Sequence, residues 1–254
     1  MSQRAYVFDA YGTLLDVHAA IARHRDRCGP EADRLSELWR AKQLEYTWTL
    51  TLAGQYRDFW TLTEQALDHA LARYPSVPAS LKPRLLDAYR TLDAFPDALP
   101  CLTSLKQAGL STAILSNGTP HMLSAALAAS GIAGLIDVTL SVDELRLYKP
   151  RREVYAMALD ALGTAVASDA TNAQAGNEKV DNEQADDAPA GNLEDRTRHG
   201  DIVFVSSNRW DIMGAATCGL TTVWVNRAGL PDEYRAQPPS YVISDLSALP
   251  IRAD

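Results

Sequence analysis

Four short, mostly apolar runs recur along the chain, and each is followed by a residue with a short polar side chain. The runs cover residues 5–8, 111–115, 201–205 and 221–225, and they are followed by Asp9, Ser116, Ser206 and Asn226. Continuous apolar runs of this length are typical of strands in a parallel sheet that is covered on both faces. The pattern predicts four buried parallel strands.

Amphipathic helical patterns lie between these predicted strands. Residues 122–130 are rich in Ala and Leu and stop at Gly131. Apolar residues of the segment 151–163 recur at helical spacing, and Gly163 is the expected end of that helix. Alternating strands and helices predict an α/β fold with a doubly wound, Rossmann-like parallel sheet.

Residues 16–96 interrupt this alternation, because they contain no convincing strand pattern. Their apolar residues follow helical spacing in stripes such as Leu35, Leu38, Trp39 and Tyr46, and again Leu81, Leu85, Tyr89 and Leu92. The sequence therefore predicts a helical cap domain at 16–96, inserted into an α/β core domain formed by residues 1–15 and 97–254.

Residues 164–200 differ in amino-acid composition from the rest of the chain. This segment has no aromatic residue and no Ile, Met or Cys, and its eight acidic and three basic residues contribute five of the chain's eight net negative charges. Such a segment buries too little apolar surface to offset the entropy of ordering it. We expect a disordered surface insertion within the core domain, and an acidic docking element is the alternative.

Charge and composition exclude several classes of protein. A net charge of −8 argues against nucleic acid as a partner, because phosphate binding needs a positive face. No run of about 18 apolar residues occurs, so no membrane-spanning helix is expected. The three cysteines are scattered without metal-ligand spacing, which favours a reducing cytoplasm.

Chemically active side chains follow the predicted strands. Asp9 ends the first run, Ser116 and Asn117 end the second, and residues 206–211 (SSNRWD) end the third, while Lys149 precedes a predicted helix. Ligands of open parallel sheets bind beyond the carboxyl ends of the strands. Asp9 is a candidate nucleophile, since carboxylates form covalent ester intermediates, and a nearby lysine keeps a carboxylate ionised.

Four ordered motifs resemble those of the haloacid dehalogenase superfamily, and more narrowly those of its L-2-haloacid (type II) dehalogenases. They are residues 8–14 (FDAYGTL), 115–118 (LSNG), 148–150 (YKP) and 204–211 (FVSSNRWD). Residues 38–46 (LWRAKQLEY) and 56–60 (YRDFW) resemble the cap signature of the same family. The resemblance covers nearly the whole chain except the acidic insertion.

The resemblance implies hydrolysis of short (S)-2-haloalkanoic acids to (R)-2-hydroxy acids and halide, through an aspartyl ester and with water as co-substrate. It implies a homodimer that needs no metal and no cofactor. The catalytic residues that it implies are Asp9, Thr13, Lys149, Ser206, Asn208 and Asp211. The substrate-binding and halide-binding residues that it implies are Ala10, Tyr11, Arg40, Leu44, Phe59, Ser116, Asn117, Tyr155 and Trp210.

Two alternatives remain open from the residues. A phosphohydrolase of the same fold would carry a second Asp in place of Tyr11, as general acid, and an acidic metal ligand in place of Ser207. A non-catalytic protein that binds a small molecule is the alternative of another class. One residue departs from the family pattern: Arg209 places a charge where a small residue is usual, and we expect it to alter the mouth of the pocket.

Overall fold

A parallel sheet forms the centre of the computed structural model, which describes residues 5–170 and 202–251. Its strands are β1 (Ala5–Phe8), β2 (Ser111–Ser116), β3 (Val138–Ser141), β4 (Ile202–Ser206), β5 (Thr221–Val225) and β6 (Tyr241–Ile243). The strand order is β3-β2-β1-β4-β5-β6, and every neighbouring pair is parallel. The predicted α/β fold is confirmed, with the buried β1 and β4 side by side in the middle.

The sequence pattern missed two strands, and both lie at the edges of the sheet. β3 and β6 are short and are largely half-buried or exposed along their length. Edge strands pack on few neighbours, so they carry neither a continuous apolar run nor a clear alternation of apolar and polar residues. The four predicted strands, in contrast, agree with the structure to within one residue.

The segment after β1 forms the cap helices, which are α1 (Ala19–Ala22), α2 (Arg25–Cys28), α3 (Ala32–Leu52), α4 (Phe59–Arg73) and α5 (Lys82–Arg90). α3 and α4 pack together around buried polar contacts. The Trp39 indole N–H donates to the Thr63 carbonyl over 2.9 Å, and the Gln43 amide donates to the Thr63 hydroxyl over 2.9 Å. These contacts fix the rotation of α3 and therefore which of its side chains face the core.

The chain enters and leaves the cap helices through two segments that lie next to each other. Asp16 N donates to the Asp93 carbonyl over 2.9 Å, and Phe95 N donates to the Leu14 carbonyl over 2.9 Å. The pairing ties both crossings to the loop that follows β1. The division into a core and a cap at residues 16–96 stays a prediction.

The remaining helices cover the sheet, and they are α6 (Ala98–Gln107), α7 (Pro120–Ala129), α8 (Arg152–Ala170) and α9 (Arg209–Thr217). The prediction that Gly163 ends α8 is wrong, because the helix continues to Ala170. An internal glycine costs a helix only about 1 kcal/mol relative to alanine, and the neighbouring alanines favour the helix. Residues 164–170 of the predicted insertion thus belong to α8.

The rest of the predicted acidic insertion, residues 171–200, lies outside the described residues. Among the residues that are described, none of the helices has the length and the apolar character to cross a membrane.

Candidate active site

Asp9 lies directly beyond β1, where the neighbouring β4 also ends. Its backbone N–H donates to the Val205 carbonyl over 2.9 Å, which continues the sheet pairing by one residue. The carboxylate oxygen Oδ2 accepts hydrogen bonds from the Thr13 hydroxyl at 3.1 Å and from the Asn208 amide at 2.8 Å. Ser207 N in turn donates to the Thr13 hydroxyl over 2.8 Å. One oxygen of Asp9 is therefore fixed by donors from two different strand ends.

Lys149 lies between the carboxylates of Asp9 and Asp211. Its ammonium is 3.2 Å from Asp9 Oδ1 and 2.9 Å from Asp211 Oδ2, and its side chain is only 1% exposed. Tyr155 donates from its hydroxyl to Asp211 Oδ1 over 2.7 Å. A cation with two anions is thereby buried as one hydrogen-bonded group, which satisfies the requirement that buried charges be paired.

Burial and pairing act in opposite directions on these groups. Burial alone would lower the pKa of Lys149, but the charges of Asp211 and Asp9 outweigh it and raise that pKa above its ordinary value. Complete burial raises the pKa of Asp211 to about 6, against the lowering effect of Lys149. Burial also raises the pKa of Tyr155, which therefore remains a neutral donor. The site keeps a permanent ammonium next to Asp9.

The end of β2 positions the lysine. Lys149 N donates to the Asn117 side-chain oxygen over 3.1 Å. Ser116 accepts a hydrogen bond from Gly118 N over 3.1 Å, and Ser141 donates to the Gly118 carbonyl over 2.7 Å. Side chains at the ends of β2 and β3 thus shape the turn that holds Lys149 in place.

Arg40 reaches the nucleophile loop from α3. Its Nη2 donates to the Tyr11 carbonyl over 3.0 Å, while its Nη1 is buried and has no hydrogen-bond partner among the described residues. Leu44 follows one helical turn later on the same face and is half-buried. α3 therefore supplies a cationic donor to the loop that follows Asp9, with an apolar side chain one helical turn further along.

Aromatic rings enclose the space around the nucleophile loop. The Tyr11 ring stacks on Tyr89, with 5.8 Å between centroids, and lies 6.0 Å from the ring of Phe59. Burial raises the pKa of Tyr11 well above its ordinary value, so this side chain is not an acid at neutral pH. Trp210 packs edge-on against Trp48, 5.4 Å away between centroids. Phe59 and Tyr11 thus form one wall, and Trp210 belongs to a separate contact further along α3.

The structure brings most of the predicted residues to one place. Ser206 accepts from Asn208 N over 3.1 Å, and the Ala10 carbonyl accepts from Leu14 N over 3.0 Å, so both shape turns at the site. Tyr155 is fully buried and donates to the Asp211 carboxylate. Its predicted role in substrate binding stays a prediction.

Arg209 does not present its charge to solvent, since the side chain is 5% exposed and its Nε donates to Asp232 over 2.7 Å. Its predicted effect on the mouth of the pocket stays a prediction. The guanidinium is held there because it finds a carboxylate and two backbone carbonyls in the loop after β5, those of Tyr234 and Gln237.

Sequence reasoning missed Trp48 and Tyr89 as parts of the site. Both lie in helical apolar stripes, and such stripes indicate only that a side chain is buried. Their ring contacts with Trp210 and Tyr11 depend on how the cap helices pack on the core, which no local pattern specifies.

Gly214 on α9 leaves the room that Tyr155 needs. A Cβ at this position would overlap the Tyr155 hydroxyl and lie 2.7 Å from Cβ of Pro150. We expect Gly214→Ala to lower the free energy of unfolding by about 1–3 kcal/mol and to lower activity, because Tyr155 must move away from Asp211. Urea unfolding checks this against Gly134→Ala, whose Cβ would meet nothing within 4 Å. Equal stabilities of the two variants would contradict the packing argument.

Comparison with known proteins agrees with this geometry. Residues 3–219 match the family model described as haloacid dehalogenase-like hydrolase. (S)-2-haloacid dehalogenase 1 of Pseudomonas sp. (strain CBS-3) is 44% identical, over 97% of this chain and 95% of its own length. (S)-2-haloacid dehalogenase 4A of Burkholderia cepacia is also 44% identical, over 98% of this chain and 94% of its own length.

Solved structures show the same relation. A crystal structure of a dehalogenase is 44% identical, covers 98% of this chain and 96% of its own, and superposes with a TM-score of 0.82. L-2-haloacid dehalogenase from Xanthobacter autotrophicus with covalently bound chloropropionic acid is 31% identical, covers 97% and 96%, and has a TM-score of 0.76. With four motifs in order, a paired Asp9 and Lys149, and these full-length matches, the chain belongs to the haloacid dehalogenase-like hydrolases, in the branch of the (S)-2-haloacid dehalogenases.

Proposed function

We propose that this chain hydrolyses the carbon–halogen bond of short (S)-2-haloalkanoic acids and releases an (R)-2-hydroxy acid and halide. One observation carries the proposal. The fixed carboxylate of Asp9 is 3.2 Å from a buried ammonium, and the guanidinium of Arg40 donates to the Tyr11 carbonyl in the loop that follows Asp9. That arrangement suits attack on carbon with departure of an anion. The names of the relatives at 44% identity support the same substrate class.

In the first step, a carboxylate oxygen of Asp9 attacks C2 of the substrate from the side opposite the halogen. The new C–O bond forms as the C–halogen bond breaks, and the halide leaves with the bonding electron pair. Displacement from behind inverts C2, which turns an S acid into an R product. We propose that the Arg40 Nη1–H, which has no hydrogen-bond partner among the described residues, and the amide of Asn117 receive the halide, because donors that face a developing charge stabilise it most.

In the second step, water attacks the carbonyl carbon of the Asp9 ester. Negative charge develops on the carbonyl oxygen. In the free carboxylate Thr13 and Asn208 donate to Oδ2 and Lys149 donates to Oδ1, so the oxygen that remains the carbonyl has a donor in place whichever of the two attacks C2. Ser206 and Asp211 complete the group that we propose to position the water and accept its proton. Collapse of the tetrahedral intermediate breaks the bond between the ester oxygen and the former carbonyl carbon. The leaving oxygen takes up the proton removed from water, the hydroxy acid is released and Asp9 is regenerated.

The phosphohydrolase alternative fits the site less well. Lys149 Nζ lies between Asp9 and Asp211, at 3.2 and 2.9 Å, so the carboxylates that would share a divalent ion already share an ammonium. Tyr11 stands where a phosphatase would carry its general acid, and burial raises the pKa of Tyr11 well above its ordinary value, which makes it a weak proton donor.

We expect dehalogenation to survive excess EDTA with less than about twofold loss, because Lys149 supplies the positive charge that Mg²⁺ would otherwise supply. The measurement is halide release after dialysis against EDTA, with and without added Mg²⁺. Loss of activity that Mg²⁺ restores would favour the phosphohydrolase alternative.

Halide release from separated enantiomers tests the substrate assignment. The S enantiomer of 2-chloropropionate should be consumed at least about 100-fold faster than the R enantiomer. With the substrate carboxylate bound in the same position, only the S enantiomer directs its halogen towards Arg40. Chiral chromatography should find (R)-2-hydroxypropionate as the product. Equal rates for both enantiomers, or retention of configuration, would contradict the proposed displacement.

We propose further that the enzyme works in the cytoplasm as a homodimer. The three cysteines are free thiols, and burial raises the pKa of Cys101 to about 12, which suits a reducing compartment. The homodimer rests on the family resemblance, and sedimentation equilibrium is the measurement that tests it.

A further inference from the structure

A cavity of about 300 Å³ opens between the cap helices and the core, at the border of the proposed reaction site. The end of α3 forms one wall, and Lys149, α9 and the loop after β5 form the other. Its large apolar and aromatic lining side chains are Trp48, Leu52, Tyr148, Trp210, Met213 and Tyr234. The volume lies at the lower end of the range found for small-molecule sites.

Two observations relate the cavity to the groups that the proposed reaction uses. Lys149 lines it, and the ammonium of this residue is 3.2 Å from Asp9. Arg40, Leu44 and Trp48 lie at four-residue intervals on one face of α3, and side chains on a helix incline towards its N-terminus. The side chain of Trp48, which lines the cavity, is thus inclined along α3 towards Arg40, and Leu44 lies between the two.

Displacement at C2 dictates where a substrate chain goes. Asp9 and the departing halide lie on one line through C2, so the hydrogen, the carboxylate and the alkyl chain of the acid project sideways from that line. The wall made by Phe59 and Tyr11 closes one side, with their ring centroids 6.0 Å apart. The cavity beside Trp210 is the apolar volume that borders the site, so it is the direction in which a longer alkyl chain is accommodated.

Arg209 holds the outer wall of this cavity in place. Its Nη2 donates to the Tyr234 and Gln237 carbonyls, each over 2.7 Å, and its Nε donates to Asp232. The guanidinium also lies 5.5 Å from the centre of the Tyr234 ring. An arginine fork makes these bonds from one rigid plane, so the loop cannot shift without breaking several at once.

We propose that this cavity binds the alkyl chain of 2-haloalkanoic acids longer than 2-halopropionate, and that Arg209 is a positioning residue that sets the accepted chain length through Tyr234. The proposal rests on the proposed dehalogenase function. Each methylene that enters the cavity should raise kcat/KM by about fourfold, the equivalent of about 0.8 kcal/mol.

The first test compares kcat/KM for (S)-2-bromohexanoate with kcat/KM for (S)-2-bromopropionate. We expect Met213→Trp to lower this ratio at least about tenfold, because the larger side chain fills the cavity. Leu99→Trp is the matched control, since Leu99 is 50% exposed on α6 and does not line the cavity. A ratio that is the same in Met213→Trp and in the control would overturn the cavity assignment.

The second test asks whether Arg209 acts through Tyr234. Tyr234→Ala and Arg209→Ala should each lower the ratio about fivefold, through KM for the longer acid rather than through kcat. The double variant should match Tyr234→Ala alone, because coupled residues are not additive. If the effects of the two single variants add in the double variant, Arg209 does not act through Tyr234, and its proposed positioning role is wrong. If Arg209→Ala does not fold, Asp232→Asn replaces it in this test, because the neutral isostere weakens the bond between Arg209 and Asp232 without removing either side chain.

The two proposals fail in distinguishable ways. If the unmodified enzyme releases no halide from either acid, the proposed function is wrong. If it releases halide from both acids, and substitutions at Met213 and Tyr234 leave the ratio of the two kcat/KM values unchanged, the dehalogenase function is correct and only the cavity assignment is wrong.

Discussion

Asp9→Asn should lower kcat for halide release by at least about 10⁴-fold, the scale of loss seen when a covalent nucleophile is removed. The amide keeps the shape of the side chain and one oxygen for Thr13 and Asn208, so the fold should persist. What is lost is the negative charge that attacks C2. Steady-state halide release and the circular dichroism spectrum are the two measurements that check this.

Asp87→Asn is the matched control for that variant, because Asp87 lies on the surface of α5, where it pairs with Arg90. It should retain the activity of the unmodified enzyme. Substantial turnover in Asp9→Asn would contradict the assignment, provided that mass spectrometry shows the asparagine has not been deamidated back to aspartate.

Lys149→Met should be costly for both stability and rate. It leaves Asp9 and Asp211 buried side by side without their shared cation, and removal of one member of a buried ion pair costs about 3–5 kcal/mol. We expect a loss of this size in the free energy of unfolding, measured in urea. We also expect at least about a 10³-fold loss in kcat, because the site loses the ammonium that stabilises the negative charge developing on the ester oxyanion.

Lys82→Met provides the comparison, since Lys82 pairs with Asp68 on the surface of the cap helices. Exposed pairs of this kind contribute at most about 1 kcal/mol. If Lys149→Met were as stable and as active as Lys82→Met, the buried group of one cation and two anions would not have the role assigned to it.

Strands that are buried on both faces of the sheet were predictable from the sequence. The central strands β1, β2, β4 and β5 are continuous apolar runs because helices cover both faces, and their polar successors mark the carboxyl ends. The edge strands β3 and β6 lack that signal, and so does the continuation of α8 beyond Gly163. Those features depend on neighbours distant in sequence.

The catalytic centre was predictable for a similar reason, since Asp9, Asn117 and Asn208 each follow a strand or its turn directly. Tyr155 needed the structure, because only the packing of α8 against α9 shows that its hydroxyl meets Asp211. Arg209 needed it as well, since nothing local shows that its partners are carbonyls in the loop after β5. Local sequence patterns do not predict the role of a side chain whose partners lie on elements distant in sequence.

The central claim is that Asp9 forms a covalent ester and that water attacks the carboxyl carbon of this ester. A single turnover in ¹⁸O-water, with enzyme in excess over (S)-2-chloropropionate, tests it most directly. The hydroxy acid released should carry no ¹⁸O, because its oxygen comes from Asp9, and mass spectrometry of the peptide containing Asp9 should find one ¹⁸O atom. Product labelled in the first turnover, together with an unlabelled Asp9 peptide, would contradict the account.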